Sequence, residues 1–215
     1  MDRLLALLFP SLIETLVMVG ISSAFSLVFG LLLGMLLVAT GKGGVEERPL
    51  LYQILSRIID AVRSIPFIVL LLFLFPITKW IMGTSIGLKA ALVPLIVAAI
   101  PFYARLSEAA LLDVPPGIKE AALSMGASSR EILLVMLSEA KAPLLRAATN
   151  LIINLIGYSA MAGVVGAGGL GDLAIRYGHQ RYQFDVMLAT VILLYILVSL
   201  LQHLGFSIAN AVERK

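Results

Sequence analysis

Two runs of this 215-residue chain, residues 15–41 and 186–212, contain no Asp, Glu, Lys or Arg. Each is longer than the roughly 20 apolar residues that an α-helix needs to cross a bilayer. In the whole chain 60% of the residues are hydrophobic and only 13% are charged, about half the charged share of a soluble domain. The sequence therefore predicts an all-α integral membrane protein with little soluble mass.

Three further apolar stretches raise the number of predicted transmembrane helices to five. The stretch at 58–78 carries Asp60 and Arg63 near its start, and Pro66 and Pro76 are expected to kink or end its helix. Loops are predicted at residues 42–57, 79–89 and 172–185, where glycines and charged residues concentrate. One transmembrane domain, 1–215, is thus predicted, with spans at 12–40, 58–78, 88–112, 144–165 and 186–209.

Lys and Arg residues are distributed unevenly between the two sides of such a five-span chain. If the C-terminus is cytoplasmic, eleven of the sixteen lie inside and five lie outside. The inner set is Lys42, Arg48, Arg57, Arg63, Arg105, Lys119, Arg130, Lys141, Arg146, Arg214 and Lys215, and the outer set is Arg3, Lys79, Lys89, Arg176 and Arg181. Because cytoplasmic loops carry the excess of positive charge, the N-terminus is predicted outside and the C-terminus in the cytoplasm.

A polar segment, residues 113–138, separates the third and fourth spans and is long enough to fold outside the bilayer. Pro116 favours the start of a helix, and Gly126 can adopt the positive φ that ends one. Ser128 and Glu131 stand at the spacing of a capping box for a second helix. We therefore expect two short cytoplasmic helices in the polar segment, available to a docking partner.

Motifs for catalysis, metal binding and nucleotide binding are missing from the sequence. The chain has no cysteine, and its two histidines, His179 and His203, are far apart. The segment Gly157–Met161 lacks the second glycine of a nucleophile elbow, and Gly41–Gly43 lacks the Ser or Thr of a phosphate loop. We expect no catalytic and no metal-binding residue, and the net charge of +3 does not suggest nucleic acid. ATP hydrolysis, if it drives this protein, must come from another chain.

The polar segment contains Glu120-Ala121-Ala122 and, after three residues, Gly126. This pattern resembles the cytoplasmic signature of permeases of bacterial ABC importers, the EAA loop, whose coupling helices dock on the ATPase subunit. The signature usually ends in Ile-x-Leu-Pro, whereas Met136–Glu139 here reads Met-Leu-Ser-Glu, so the end of the second coupling helix stays open. The resemblance implies the type I permease fold of ABC importers and assigns ATPase coupling to Glu120, Ala121, Ala122 and Gly126.

Longer segments are similar to permeases of bacterial methionine importers: Arg63–Ile68, Gly83–Gly87, Pro101–Arg105, Gly157–Met161 and Gly166–Gly171. The resemblance implies a multi-pass subunit of the bacterial cytoplasmic (inner) membrane that moves methionine, the L form with the D form left open. Two copies would form the pore, two ATP-binding subunits would use ATP and Mg in the cytoplasm, and a methionine-binding lipoprotein would deliver substrate outside. The chain itself, surrounded by membrane lipid, would bind no cofactor.

Within that scheme the fourth span is the candidate substrate path. Tyr158, Ser159 and Met161 place polar and soft apolar groups at bilayer depth, and Ser64 and Pro66 shape a break at the mouth of the second span. A hydrophobic constriction can close such a path by dewetting. Helix packing, with the Ser159 hydroxyl bonded to its own turn, explains the fourth span equally well.

Charged residues in and near the polar segment also have alternative interpretations. Glu120 either docks on the ATPase, stays solvated, or pairs with Arg63 or Arg105 of its own chain. Arg105 and Glu108, three residues apart near the end of the third span, are expected to pair on one helix face. Small residues such as Gly30 and Gly34 in the first span favour close helix packing within one subunit over a seam between subunits.

Other functions remain open at this point. A permease of the same superfamily for another amino acid or small solute fits the same pattern. An intramembrane enzyme is disfavoured because nucleophile, metal and phosphate motifs are missing. A self-gated channel is disfavoured because it has no need of a folded cytoplasmic docking segment.

Overall fold

The computed structural model describes residues 2–213, and every regular element in that range is helical. In chain order the described elements are α1 (Asp2–Thr40), α2 (Pro49–Ser64), α3 (Phe67–Phe73), α4 (Phe75–Met82), α5 (Leu88–Leu112), α6 (Pro116–Ser124), α7 (Ser129–Glu139), α8 (Lys141–Gly163), α9 (Gly169–Leu173), a π-helical turn (Ala174–His179) and α10 (Phe184–Glu213). The predictions that use Arg214 and Lys215 lie outside the described residues.

Three helices of the described range are long and apolar enough to cross a membrane: Arg3–Thr40 within α1, then α5 and α10. The helix α5 has the bounds predicted for the third span. The helix α8 is 23 residues long but less apolar, and the predicted span 58–78 is divided among α2, α3 and α4. Helix breaks lie next to Pro66, which precedes α3, and Pro76, which lies in the first turn of α4.

The helices α1 and α5 pack against each other because glycine lets their backbones approach. A Cβ atom added to Gly34 would lie 2.7 Å from the Cβ of Ser107, and one added to Gly30 would lie 2.9 Å from the Cβ of Tyr103. Larger residues at these positions would separate the helices. Gly30 and Gly34 therefore serve packing within one subunit, as the sequence predicts.

The main core lies where α3, α5 and α8 meet α1. Its large fully buried members include Met18, Leu71, Leu95, Leu151 and Leu155. The outer helix α10 packs one face on this core and exposes apolar side chains such as Tyr195 on the other. A continuous exposed apolar face is unusual in a soluble protein, so α10 has the surface expected of a helix that contacts lipid.

The predicted loop 42–57 is wrong in its second half, because α2 begins at Pro49. Proline is favoured at the first position of a helix, where its missing N–H has no helical partner. Leu55, Ile59 and Val62 then recur at helical spacing and face the protein, and Ile59 is buried. The glycines and charged residues that precede Pro49 led the sequence prediction to extend the loop to residue 57.

The predicted loop 172–185 is also wrong in its first half. The helix α8 ends at Gly163, and residues 163–171, the glycine-rich turn, lead directly into α9 and the π-helical turn. Asp172 forms an ion pair with Arg176 one turn later, which supports the helical conformation. We predicted a loop here because glycines and charged residues are typical of loops, and the sequence does not show which residues they contact.

Candidate functional site

The polar segment folds as two short helices joined by a tight turn, as predicted. Gly126 has φ of +78°, and its N–H donates to the carbonyl oxygen of Leu123 at 3.0 Å. The N–H of Ala127 donates to the carbonyl of Ala122 at 3.1 Å, so carbonyls at the end of α6 have partners. The turn directs α7 back towards α8 and the membrane domain.

The start of α7 is a reciprocal capping box, which confirms the predicted pairing of Ser128 with Glu131. The Ser128 Oγ accepts a hydrogen bond from the Glu131 N–H at 3.4 Å, and the Glu131 Oε2 accepts from the Ser128 N–H at 2.7 Å. Hydrogen bonds from the Ser128 side chain and then its backbone hold the pKa of the Glu131 carboxyl below its ordinary range. The box therefore favours a charged carboxylate at the positive end of the helix.

The two faces of the polar segment differ sharply. Ala122 is buried together with Ile132 and Met136, in a cluster that continues into the adjoining ends of α5 and α8. Its small side chain thus keeps α6 close to α7. Glu120, Ala121 and Gly126 are exposed.

Two apolar side chains, Leu123 and Met125, are also exposed on α6 and its end, and Met125 is 81% exposed. Neither residue was among the sequence-predicted site residues. The signal that could have found them is a pair of apolar residues inside the stretch from Glu120 to Gly126. Exposed apolar groups beside polar ones are typical of a protein–protein contact surface.

Glu120 forms none of the ion pairs within residues 2–213, so the alternative that it pairs with Arg63 or Arg105 of its own chain is not found. Both candidate arginines contact other carboxylates. Arg105 pairs with Asp60 and Glu108, and Arg63 lies nearest to Asp60. The Glu120 carboxylate therefore extends into solvent, which leaves docking and simple solvation as its two alternatives.

An ion cluster joins α2 to α5 near the end of α5 that leads to the polar segment. Arg105 Nη1 donates to Glu108 Oε2 at 2.7 Å, as predicted, and its Nη2 donates to Asp60 Oδ2 at 2.7 Å. The Tyr52 hydroxyl donates to Glu108 Oε1 at 3.0 Å. Since Glu108 is only 6% exposed, its charge needs both partners. The roles of Tyr52 and Asp60 were not predicted, because they depend on α2 lying beside α5.

The predicted substrate-path residues divide between two surroundings. The ring of Tyr158 stacks on Phe67, with 4.5 Å between centroids and 4° between planes, and Phe67 directly follows Pro66. Ser159 is buried, and its hydroxyl donates to the carbonyl of Ile156 at 2.8 Å, which is the predicted packing alternative. Met161 is half exposed and does not line the cavity described next.

The break between α2 and α3 lies at the edge of a cavity. The Ser64 hydroxyl donates to the carbonyl of Ala61 at 2.8 Å, and Ser64 itself is exposed. The cavity has a volume of about 210 Å³. Its walls come from α2, α3, α5 and α8: Val62, Arg63, Ile65, Phe67, Leu70, Ala98, Phe102 and Tyr158. The structure thus brings Tyr158 and the Pro66 break to one cavity.

The glycine-rich turn is held by side chains of α1. The N–H of Gly169 donates to Glu14 Oε2 at 2.6 Å, and the N–H of Leu170 donates to Thr15 Oγ1 at 2.9 Å. These acceptors satisfy donors at the start of α9, which lack partners within their own helix. Within residues 2–213, no group of three His, Cys, Asp or Glu side chains is placed to hold a metal ion.

Comparisons with known proteins agree on one family. The family described as binding-protein-dependent transport system inner membrane component matches residues 26–215. A probable D-methionine transport system permease protein of Vibrio cholerae is 46% identical over 203 residues, which are 94% of this chain and 90% of that protein. The corresponding protein of Pasteurella multocida is 45% identical over 206 residues, 95% of each chain. The D-methionine permease protein of Escherichia coli K12 is 49% identical over 151 residues, 70% of each chain.

Solved structures give the same result at the level of the fold. A chain of the MetNI methionine ABC transporter, solved in inward-facing conformations, matches with a TM-score of 0.96 and 46% identity over 99% of both chains. A chain of an amino acid ABC transporter with histidines matches with a TM-score of 0.79 and 21% identity, over 99% of this chain and 95% of that one. This second match concerns the fold alone.

Proposed function

This chain belongs to the family of binding-protein-dependent transport system inner membrane components, and we propose that it is the pore-forming subunit of an ATP-driven methionine importer. The observation that carries the proposal is the match over nearly the full chain to a subunit of a methionine ABC transporter. Its likeness to inward-facing structures supports an inward-facing state for the present conformation. The proposed substrate is methionine: the names of the relatives support the D form, and the L form rests on the sequence resemblance.

The proposed assembly contains partners besides this chain. The sequence has no phosphate loop, so two ATP-binding subunits would supply hydrolysis with ATP and Mg. A second copy of the chain would complete the pore, since a symmetric pair can alternate between two states about a shared axis. An extracytoplasmic methionine-binding lipoprotein would deliver substrate. The chain itself would bind no cofactor.

The proposed topology has five spans across the bacterial inner membrane. α1, α5, α8 and α10 would each cross it, and α2 to α4 together would form one broken span. The N-terminus would lie outside and the C-terminus inside, as the distribution of Lys and Arg favours. The polar segment then lies in the cytoplasm, where the ATPases are.

The polar segment is the proposed coupling element. Glu120, Ala121 and Gly126 would lie on its docking side with Met125, while Ala122 holds α6 against α7. Because α6 follows α5 and α7 precedes α8, a movement of the docked ATPase would reach both helices. The ion cluster would transmit the movement of α5 to α2 and the break at Ser64 and Pro66. Coupling requires these contacts to differ between the two states of the pore.

The proposed substrate path runs along α8 and the break before α3. Tyr158 lines the cavity there together with Ile65 and Phe67, which are chain neighbours of Ser64 and Pro66. Met161, half exposed on α8, would contribute a soft apolar constriction, and Ser159 would support the path from its buried side. Weak, transient contacts of this kind suit a path that must also release its substrate.

Docking is tested by copurifying the chain with its ATPase subunit. We expect Glu120→Ala to weaken the association and Gly126→Pro to abolish it, because proline cannot adopt the φ of +78° found at Gly126. The control is Glu139→Ala, which removes an exposed carboxylate at the far end of α7. Both variants must retain the thermal stability of the membrane domain. Unchanged association in both would refute the docking role.

The transported substrate is tested separately, by uptake of labelled methionine into vesicles that contain the permease, the ATPase and the binding protein. Excess unlabelled amino acids compete in parallel reactions. We expect competition by L- and D-methionine and little by others. Equal competition by all amino acids would favour the alternative, a permease of the same family for other small solutes.

A further inference from the structure

One charged residue, Arg63, lines the cavity between α2, α3, α5 and α8, and the proposed path assigns it no task. Its side chain is 38% exposed. Within residues 2–213 Arg63 donates no hydrogen bond, and its nearest carboxylate oxygen is Asp60 Oδ1 at 3.8 Å. That carboxylate already accepts two hydrogen bonds from Arg105, at 3.1 and 2.7 Å. The donors of Arg63 are therefore available to another anion.

The cavity reaches the middle of a membrane-spanning helix. Ala98 and Phe102 line it, and these residues flank the midpoint of α5, which is long enough to cross a membrane. Arg63 thus lines, from the end of α2, a cavity that reaches the middle of α5, and an ionisable side chain beside such a cavity usually marks a substrate pathway. The break between α2 and α3 lies beside it, and discontinuous helices commonly form binding sites at mid-membrane.

The remaining wall is suited to a sulfur-containing side chain. Phe67 and Tyr158 stack on each other, and Phe102 adds a third ring. Thioether sulfur makes favourable contacts with aromatic rings. The volume of about 210 Å³ far exceeds the roughly 10–15 Å³ that a single water needs on the same measure. The cavity therefore has room for a small organic molecule, with one cationic end and one aromatic end.

We propose that this cavity is a recognition site for an α-amino acid with a thioether side chain. Arg63 binds the α-carboxylate through paired N–H donors, a geometry that guanidinium favours, and the aromatic wall contacts the sulfur. This proposal rests on the proposed function, because it assigns the substrate of the importer to a place in the pore subunit. It makes Arg63 a specificity-determining residue, whereas the sequence analysis assigned Arg63 no role in the substrate path.

The absence of cysteine from the sequence permits a direct test by thiol protection. A Val62→Cys variant places one thiol of the chain in the cavity wall, and Ala98→Cys places a second probe on the opposite helix. The complex of the chain with its ATPase is reconstituted in lipid nanodiscs without the binding protein. The rate of alkylation by a small maleimide is measured with increasing methionine. An Ile54→Cys variant, exposed on α2 outside the cavity, is the control.

We expect methionine to slow alkylation at Val62→Cys and Ala98→Cys but not at Ile54→Cys. Adding Arg63→Gln should raise the methionine concentration for half protection by about 10- to 100-fold, the range for loss of a hydrogen bond to a charged group. Arg57→Gln, an exposed arginine on the same helix, should leave it unchanged. Methionine amide should protect poorly, and norleucine should protect about 2- to 10-fold less well than methionine.

The outcomes separate this site from the proposed function. The proposed site is overturned if methionine protects equally well with and without Arg63→Gln. It is also overturned if methionine protects neither cavity cysteine although the same complex, with binding protein, takes up methionine. Failure of the unaltered complex to take up methionine refutes the proposed function instead. If Arg63→Gln does not assemble with the ATPase, Arg63→Lys is used. It keeps the charge but loses the paired donors, and it must show intermediate protection.

Discussion

The polar segment and the glycine-rich turn both reverse the chain through glycine, but they are stabilised in different ways. A Cβ added to Gly126 of the polar segment would meet nothing within 4 Å, so glycine is needed there for its φ alone. A Cβ added to Gly171 of the turn would lie 2.3 Å from the carbonyl oxygen of Ala160. The first glycine allows a conformation, whereas the second allows two segments to touch.

The hydrogen bonds of the two regions differ in the same way. The helix α7 is capped by Ser128 and Glu131, three positions apart, whereas the start of α9 is capped by Glu14 and Thr15, each 155 positions earlier in the chain. The turn and the helix cap of the polar segment are thus held by hydrogen bonds within the segment, and its exposed face is available to a partner. The glycine-rich turn depends on α1 and stays in place only while α1 does.

The largest expected difference concerns the two glycines. Gly171→Ala should destabilise the chain by more than about 3 kcal/mol, because backbone of α8 blocks the added methyl group. Gly126→Ala should cost only about 1–2 kcal/mol, the penalty of the left-handed conformation. Thermal unfolding of the two purified variants measures both. Equal decreases in unfolding temperature for the two variants would contradict this difference between the two glycines.

A smaller effect is expected from the side chains that cap α9. Glu14→Ala and Thr15→Val each leave a buried N–H at the start of α9 unpaired, at a cost of about 1–3 kcal/mol. Hydrogen exchange should become faster across Gly169–Leu173. Ser128→Ala is the matched change in the other region, and its faster exchange should stay within the first turn of α7. Spread of that effect into α5 or α8 would contradict local stabilisation of the polar segment.

The smallest effect is the pH dependence of the capping box. Hydrogen bonds from Ser128 lower the pKa of Glu131, so the box stabilises α7 at neutral pH. That contribution declines as the pH falls below the ordinary glutamate pKa of about 4.3 and through the lowered value. The carboxyl carbon signal of labelled Glu131 should titrate at higher pH in Ser128→Ala. An unchanged titration would show that Ser128 does not stabilise the charged carboxylate.

Much of the polar segment was predictable because its determinants are close in sequence. The start of α6 at Pro116, the positive φ of Gly126 and the box of Ser128 with Glu131 each depend on residues within one or two turns. The pairing of Arg105 with Glu108 was predictable for the same reason. Helical spacing fixes the distance between two side chains of one helix whatever surrounds it.

The cavity and the ion cluster were not predictable in this way. The sequence contains Asp60, Arg63 and Arg105, but it does not say that Asp60 pairs with Arg105 and leaves Arg63 without a hydrogen bond. The contact of Tyr158 with Phe67 likewise joins two helices far apart in the chain. The start of α2 was missed because the glycines and charged residues before Pro49 indicated a loop, and only the position of α2 beside α5 shows which of its faces is buried.

The sequence by itself determined that this chain is helical and suited to a membrane, where its long helices α1, α5 and α10 lie, and how its polar segment turns. These properties follow from hydrophobicity over a bilayer length and from hydrogen bonds between near neighbours in the chain. Tertiary structure alone decided which charges pair, that Glu14 and Thr15 of α1 cap α9, and that Arg63 faces a cavity lined with aromatic rings. The physical reason is that burial and ion pairing depend on distances between helices, and those distances are set by the packing of the whole chain.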